Sequence, residues 1–327
     1  FLINKSRFNE KDIQSIESHA NSINICEFII FIFNFQTGEG IIRINNSYQS
    51  GIVVNIIISA ILMLISLYSF FLYVKCACYT HRDSLIQIWT NAFNKKSAIF
   101  PLIVSIILCQ TTVSTYLKLL ALTIKDCITF LFPASKNFSR DHYFVSLIVL
   151  IVYSLPISAT KSMKFFIVLS FIELVFLILL LLCIIWSFSD SVSNFGFDPN
   201  HKFSIFKFDS KILENIAIFM TSYIAMPLNY PSLGNLSFPT QNRLLRAFSI
   251  AIFLSYIIYN LYGIFTYLAY FNNPPENYFL SQYESLNFFG RICLTFVILS
   301  TLPCYLNQLR FLSVQIYSRN ESMHVEI

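Results

Sequence analysis

The sequence predicts an all-α polytopic membrane protein, and three observations predict it. Charged residues make up only 12% of the chain, about half of the roughly 25% found in soluble domains. Hydrophobic residues make up 56%. They are gathered into runs long enough for a helix to cross the hydrocarbon of a bilayer, which takes about 20 residues.

Eight runs qualify, at roughly 25–44, 51–74, 97–124, 143–160, 164–187, 212–233, 246–271 and 288–313. The second, fifth and seventh are the cleanest. The first is interrupted by NFQTGEGIIRINN, which holds Gly38, Glu39, Gly40 and Arg43. The third carries Lys118 and the fifth Glu173. A charge at membrane depth is costly and needs a partner or a wet cavity. Two alternatives stand for this pair: a salt bridge, or a Lys118 that snorkels to the interface on its long stem. The sixth run is interrupted by Pro227 and Pro231.

The resulting layout is a cytoplasmic N-terminal segment (1–24), a transmembrane domain (25–313) and a cytoplasmic tail (314–327). Orientation follows from Lys and Arg in the connecting loops, which favour the cytoplasmic side. With the N-terminus inside, thirteen basic residues fall in cytoplasmic segments and six in outer loops, so the N-terminus is expected in the cytoplasm. The sequon at Asn137 then lies outside and the one at Asn235 inside. The chain begins at Phe1, which reads as a processed or fragmentary start, and its first residues are too polar for a cleavable signal.

Several function classes are excluded. Basic residues are scattered, without the dense patch that nucleic acid requires. The eight cysteines lie mostly in or beside apolar runs and read as small apolar side chains. No HExxH, GxSxG, P-loop or kinase signature occurs. His19, His81, His142, His201 and His324 are far apart, so no metal cluster is expected. The chain reads as a non-enzyme.

The interrupted runs carry the functional argument. In lipid every backbone polar group must be satisfied, so irregular backbone survives only against protein or a cavity. Pro227 removes a donor and disfavours helix at Met226. One reading is a proline kink whose neighbours re-satisfy the backbone. The other is a discontinuous helix of the kind that lines the midplane site of inverted-repeat transporters. That second reading needs a matching break, and the glycines of the first run supply one.

Three stretches then resemble the amino acid/auxin permease family, which includes sodium-coupled neutral and vacuolar amino acid transporters. TGEGIIRINNSYQSG, running into ISLYSFFLYVKC, resembles the family's first and second helices. SLPISATKSMKFFIVLS resembles the junction of its fourth and fifth. IFMTSYIAMPLNYPSLGNLSFPTQNRLLRA with YIIYNLYGIFTYLAYF resembles its sixth and seventh. STLPCYLNQLR is in addition similar to the eighth.

The resemblance implies a LeuT-like inverted-repeat fold, apparently truncated after the eighth helix, with first and sixth helices unwound around an amino acid substrate. It implies secondary active transport by alternating access, coupled to a proton or sodium gradient, in a plasma or vacuolar membrane. Residue by residue, it implies that the substrate carboxylate meets backbone amides around Thr37, Gly38 and Gly40. The α-amino group would meet carbonyls near Tyr223, Met226 or Asn229. Asn34 and Thr301, with Ser300 as the alternative, match positions of the sodium site.

Glu39 stands where the family has a small residue. It either pairs with Arg43 along one helix face or takes part in proton coupling or recognition of a cationic substrate. Asn45 replaces the usual proline of the first helix. The apparent truncation favours an alternative of another class, a non-transporting amino acid sensor or degenerate permease.

Overall fold

The computed structural model describes residues 23–44, 47–80, 82, 84–131, 144, 147–160, 163–195, 211–229, 236–237, 240–270 and 286–325. Residues 1–22, Pro231, the Asn137 sequon and residues 196–210 of the expected outer loop lie outside the described residues. So do the side chains of Glu39, Arg43, Met226 and Asn229.

The described chain is helical. Its elements in order are α1 (Ile25–Ile44), a 3-10 turn (Ser47–Ser50), α2 (Ile52–Thr80), α3 (Leu85–Ala92), α4 (Ile99–Leu131), α5 (Val149–Ser158), α6 (Met163–Phe195), α7 (Lys211–Asn229), α8 (Gln241–Tyr270) and α9 (Leu286–Val325). Among the described residues, five of these are long and apolar enough to cross a membrane: α2, α4, α6, α8 and α9. Helix α5 and the Ile25–Gly38 part of α1 are apolar but shorter. The chain is a multi-pass integral membrane protein. Eight segments were expected to span; five meet the requirement of length and apolarity.

The lipid-facing side follows from helical spacing. Helix α2 exposes Ile57, Ile61, Leu64, Ile65, Tyr68 and Leu72, a stripe at intervals of three and four residues, which is one helix face. Its opposite face buries Ser59, Leu62, Ser66, Phe70 and Tyr73. Helix α6 repeats the pattern, exposing Val168, Phe171, Ile172, Val175 and Ile178. Such apolar stripes are stable against acyl chains and would drive association in water. On the inward side of α2, Asn55, Ser59 and Ser66 bond other helices.

Helix α1 is the hub. Its first turn is fastened by Glu27, whose carboxylate accepts the Asn24 amide at 2.9 Å, half of a capping box. Residues 31–38 are all buried. Eight consecutive residues cover more than two turns, so every face of α1 is enclosed. Helices α6, α7, α8 and α9 all pack against it. Just before it, a single parallel bridge joins Ile23 to Leu236, with the Ser237 amide donating to the Ile23 carbonyl at 3.0 Å.

Both expected helix breaks are corrected. Helix α1 runs through Thr37, Gly38 and Gly40 without interruption, and α7 runs through Met226 and Pro227 to Asn229. The physical reasons differ. In α7, Pro227 has no amide to give the Tyr223 carbonyl four residues back. The Ser66 hydroxyl of α2 donates to that carbonyl instead, at 2.9 Å. This is the neighbour-satisfied proline that membrane helices tolerate. In α1 the glycines serve close packing. A Cβ on Gly40 would lie 2.2 Å from the Tyr259 hydroxyl oxygen, so the glycine makes room for that ring rather than for a turn.

Among the described residues, a glycine is conformationally required only at Gly51, with φ 102°. It closes the 3-10 turn by donating to the Tyr48 carbonyl at 3.1 Å and leads into α2. Tyr48 is wholly buried. Its hydroxyl donates to Asn260 Oδ1 at 2.7 Å, and its ring lies over Gly263, where a Cβ would come within 2.0 Å of Cε2. Because the hydroxyl is anchored, the ring cannot simply swing away. We expect Gly263→Ala to destabilise the folded protein by about 1–3 kcal/mol, the usual cost of overpacking. Thermal unfolding in lipid nanodiscs would measure this, and an unchanged midpoint would refute the contact.

Candidate functional site

The candidate site is a polar seam on α1 facing α6 and α9. Asn34, Thr37 and Gly38 recur at three- and four-residue spacing, so they share one helix face. Asn34 is wholly buried, and its Nδ2 donates to the Ser170 carbonyl of α6. One turn along, Gly38 abuts Thr301 and Glu173. A Cβ there would meet Thr301 Oγ1 at 2.9 Å and Glu173 Oε1 at 3.0 Å. Ser170 and Glu173 are three apart on α6, so the α1–α6 contact has two polar rungs.

Glu173 is 2% exposed. Its Oε1 lies 2.9 Å from Thr301 Oγ1, and Thr301 Oγ1 is 2.6 Å from the Val297 carbonyl of its own helix. Among the described residues, no cation pairs with Glu173. Lys118 is exposed on α4 and makes no bond to it. Of the two readings of these charges, the structure therefore excludes the salt bridge and leaves Lys118 reaching outward. Ser300 is buried next to Thr301, and its carbonyl accepts the Cys304 thiol at 3.8 Å. Pro303, inside α9, has no amide for the residue-299 carbonyl, which loosens the helix beside Thr301.

A second set of contacts decorates the α1 backbone. The Phe33 carbonyl accepts the Thr37 hydroxyl at 2.9 Å. The Phe35 carbonyl accepts Tyr305 from α9 at 3.3 Å, and the Gln36 carbonyl accepts Tyr259 from α8 at 2.7 Å. Three carbonyls within one turn thus receive a hydroxyl in addition to their place in the helix. Asn34 Oδ1 and Gln36 Nε2, both buried, have no hydrogen-bond partner. Buried polar atoms left so are few in folded proteins and call for an explanation.

The expected ion-site residues Asn34 and Thr301 thus lie on neighbouring turns of one seam, with Ser300 beside them. The expected substrate residues are arranged differently. The amides at Thr37, Gly38 and Gly40 lie inside a continuous helix, where intrahelical bonds consume them. The Tyr223 carbonyl is taken by Ser66, and the Tyr223 hydroxyl lies 2.9 Å from Ser59 Oγ. Met226 and Asn229 lie near the end of α7, with side chains outside the described set. The Glu39–Arg43 pair is also outside it.

Sequence reasoning left Glu173 out of the site, although its charge within a span was the available signal. It also missed Ser66, Ser170, Tyr259 and Tyr305. No local pattern marks which hydroxyl reaches which distant carbonyl.

No protein-family model matches the chain, and no curated protein matches it. The site must therefore be judged on its own geometry.

The tightness at Gly38 generates a direct test. Gly38→Ala should destabilise by about 1–3 kcal/mol through overlap with Thr301. Thr301→Ser removes the methyl that would lie 3.0 Å from the new Cβ and should recover part of that loss. A double-mutant cycle on thermal unfolding should give a coupling of at least about 0.5 kcal/mol. Strict additivity would mean the two residues do not touch.

Proposed function

We propose that the protein is a secondary active transporter of amino acids, coupled to a cation gradient and working by alternating access. The observation that carries the proposal is the polar seam at the centre of the bundle. On the enclosed α1, Asn34 bonds the Ser170 carbonyl of α6, and one turn along Gly38 lies against Glu173 of α6 and Thr301 of α9, which bond each other. Intramembrane polar and ionisable groups facing a bundle interior mark ion and substrate pathways. A purely structural helix contact would satisfy its polar atoms, and here Asn34 Oδ1 is left over.

Substrate contact through the amides of Thr37, Gly38 and Gly40 requires α1 to open locally during the cycle. The hydroxyls on the carbonyls of Phe33, Phe35 and Gln36 lower the cost of that opening, because those carbonyls keep a partner when the helix bond is lost. The resemblance to amino acid permeases supplies the substrate class, the LeuT-like arrangement and the role of Met226 and Asn229 in holding the α-amino group. The distribution of basic residues supports a cytoplasmic N-terminus, in a plasma or vacuolar membrane.

One observation favours a second reading, a non-transporting amino acid sensor. Helix α1 is unbroken, and Gly40 is packed against Tyr259. A protein that binds without cycling has no need to open it repeatedly.

Uptake separates the two. Proteoliposomes holding the full chain would be given a pool of labelled amino acids under an imposed sodium gradient, an imposed pH gradient or neither. Transport predicts gradient-dependent accumulation, reduced at least about tenfold, or about 1.4 kcal/mol, by Asn34→Ala. Saturable amino acid binding without accumulation would establish the sensor and overturn transport.

A further inference from the structure

Thr301 has one hydroxyl hydrogen for two neighbouring oxygens unless Glu173 carries another. A threonine hydroxyl has a single hydrogen to donate. Thr301 Oγ1 lies 2.6 Å from the Val297 carbonyl and 2.9 Å from Glu173 Oε1. Neither of those oxygens can donate when Glu173 is a carboxylate. One hydrogen would then serve two acceptors, the shorter contact being to the carbonyl. A protonated carboxyl removes the conflict: Glu173 donates to Thr301, and Thr301 donates to Val297.

We propose that Glu173 is a proton-binding site, occupied by a proton in this conformation and read out by the Thr301 hydroxyl. When the proton leaves to solvent, the Thr301 hydroxyl rotates and donates to the carboxylate. The Val297 carbonyl keeps the helical amide of Thr301, so no acceptor is stranded. Proton binding thus switches one hydroxyl between two helices, from α6 to the backbone of α9. Gly38 makes α1 sensitive to the switch, since nothing larger than its hydrogen separates α1 from either oxygen. Three helices meet at one titratable group.

Among the described residues, the surroundings offer no competing charge. From α9, Cys304 lies within electrostatic reach of Glu173. The tyrosines of α8 and α9 near the seam, Tyr259 and Tyr305, are committed to carbonyls of α1. From α4, Lys118 points outward. Among the described residues no Lys, Arg or His neutralises the carboxylate, and an isolated charge at this depth is strongly disfavoured. The proton is the ligand that fits a buried site with one acid oxygen against a hydroxyl.

This site deepens the transport reading by assigning its coupling ion, and the test does not depend on uptake. Infrared difference spectra between wild type and Glu173→Gln, in lipid near neutral pH, would isolate the Glu173 signal. Glutamine has the same shape and can donate to Thr301, so the fold should survive. Thr301→Ser, which keeps the hydroxyl, serves as a second control.

The expected result is a carbonyl stretch of a protonated carboxylic acid that is lost in Glu173→Gln. It should be retained in Thr301→Ser, shifted to higher frequency in Thr301→Val, and replaced by carboxylate bands at alkaline pH. Carboxylate bands alone throughout the titration would overturn the assignment. So would an acid band indifferent to Thr301→Val, or carboxylate bands that shift on adding sodium, which would make the ligand a metal cation. An acid band in a protein without uptake would sustain the proton site while removing transport.

Discussion

Enclosing a polar helix in a membrane bundle is the constraint on which the rest of this structure depends. Helix α1 has no face toward lipid between residues 31 and 38, so its polar groups are met from within the protein. In water an unmet polar group is solvated; in the hydrocarbon region it is not. Bonds to α1 come from several sides: Ser170 from α6, Ser255 and Tyr259 from α8, Tyr305 from α9. These bonds fix which face each outer helix turns inward, and the lipid-facing stripes of α2 and α6 are what remains. The small residues Gly38 and Gly40 let two of the partners approach at the closest distance a backbone permits.

The same constraint explains the prolines. A proline in a membrane helix creates a carbonyl debt four residues back. At Pro227 the debt falls on Tyr223 and is met by a serine one helix away. Ser66 is inward-facing in an otherwise greasy α2, and this contact is its reason for being there. A second network lies alongside, in which Asn215 bonds the Ser47 carbonyl and Asn55 while Asn260 joins Tyr48 to Ser59. These bonds tie α7 and α8 to α2 and to the turn that precedes it. They are saturated, which distinguishes them from the α1 seam, where Asn34 Oδ1 is left over.

How much of this was legible in the sequence divides along physical lines. The membrane class was legible because burial in lipid is a property of composition over a window, and the windows at 51–74, 164–187 and 246–271 correspond to α2, α6 and α8. The number of crossings was less so, since α1 and α7 mix apolar residues with Asn34, Gln36, Lys211 and Glu214, and a window cannot say whether polar residues face protein or disqualify the span. Asn34 and Thr301 were picked out by resemblance; Thr301 packs against Gly38, one turn along α1 from Asn34. The helix breaks were not legible. Glycine and proline announce only that regular structure is optional; whether it is kept depends on Tyr259 filling the space at Gly40 and on Ser66 reaching Tyr223, which are contacts across more than a hundred residues of chain. Glu173 was visible as a charge out of place, and its partner was not, because the α6–α9 facing is set by three-dimensional packing.

The bridge between Ile23 and Leu236 has a mechanical consequence. It is a short, stiff tether in which one amide of the α7–α8 connection holds the carbonyl just ahead of α1. The hub and the entry to α8, which begins at Gln241, are thereby geared together. If α1 tilts, the near end of α8 is dragged in step; if α8 slides, the lever arm pulls the base of α1. A single backbone hydrogen bond is a weak weld, so the gearing has a slip torque. Small excursions are shared between the two helices, and large ones disengage them.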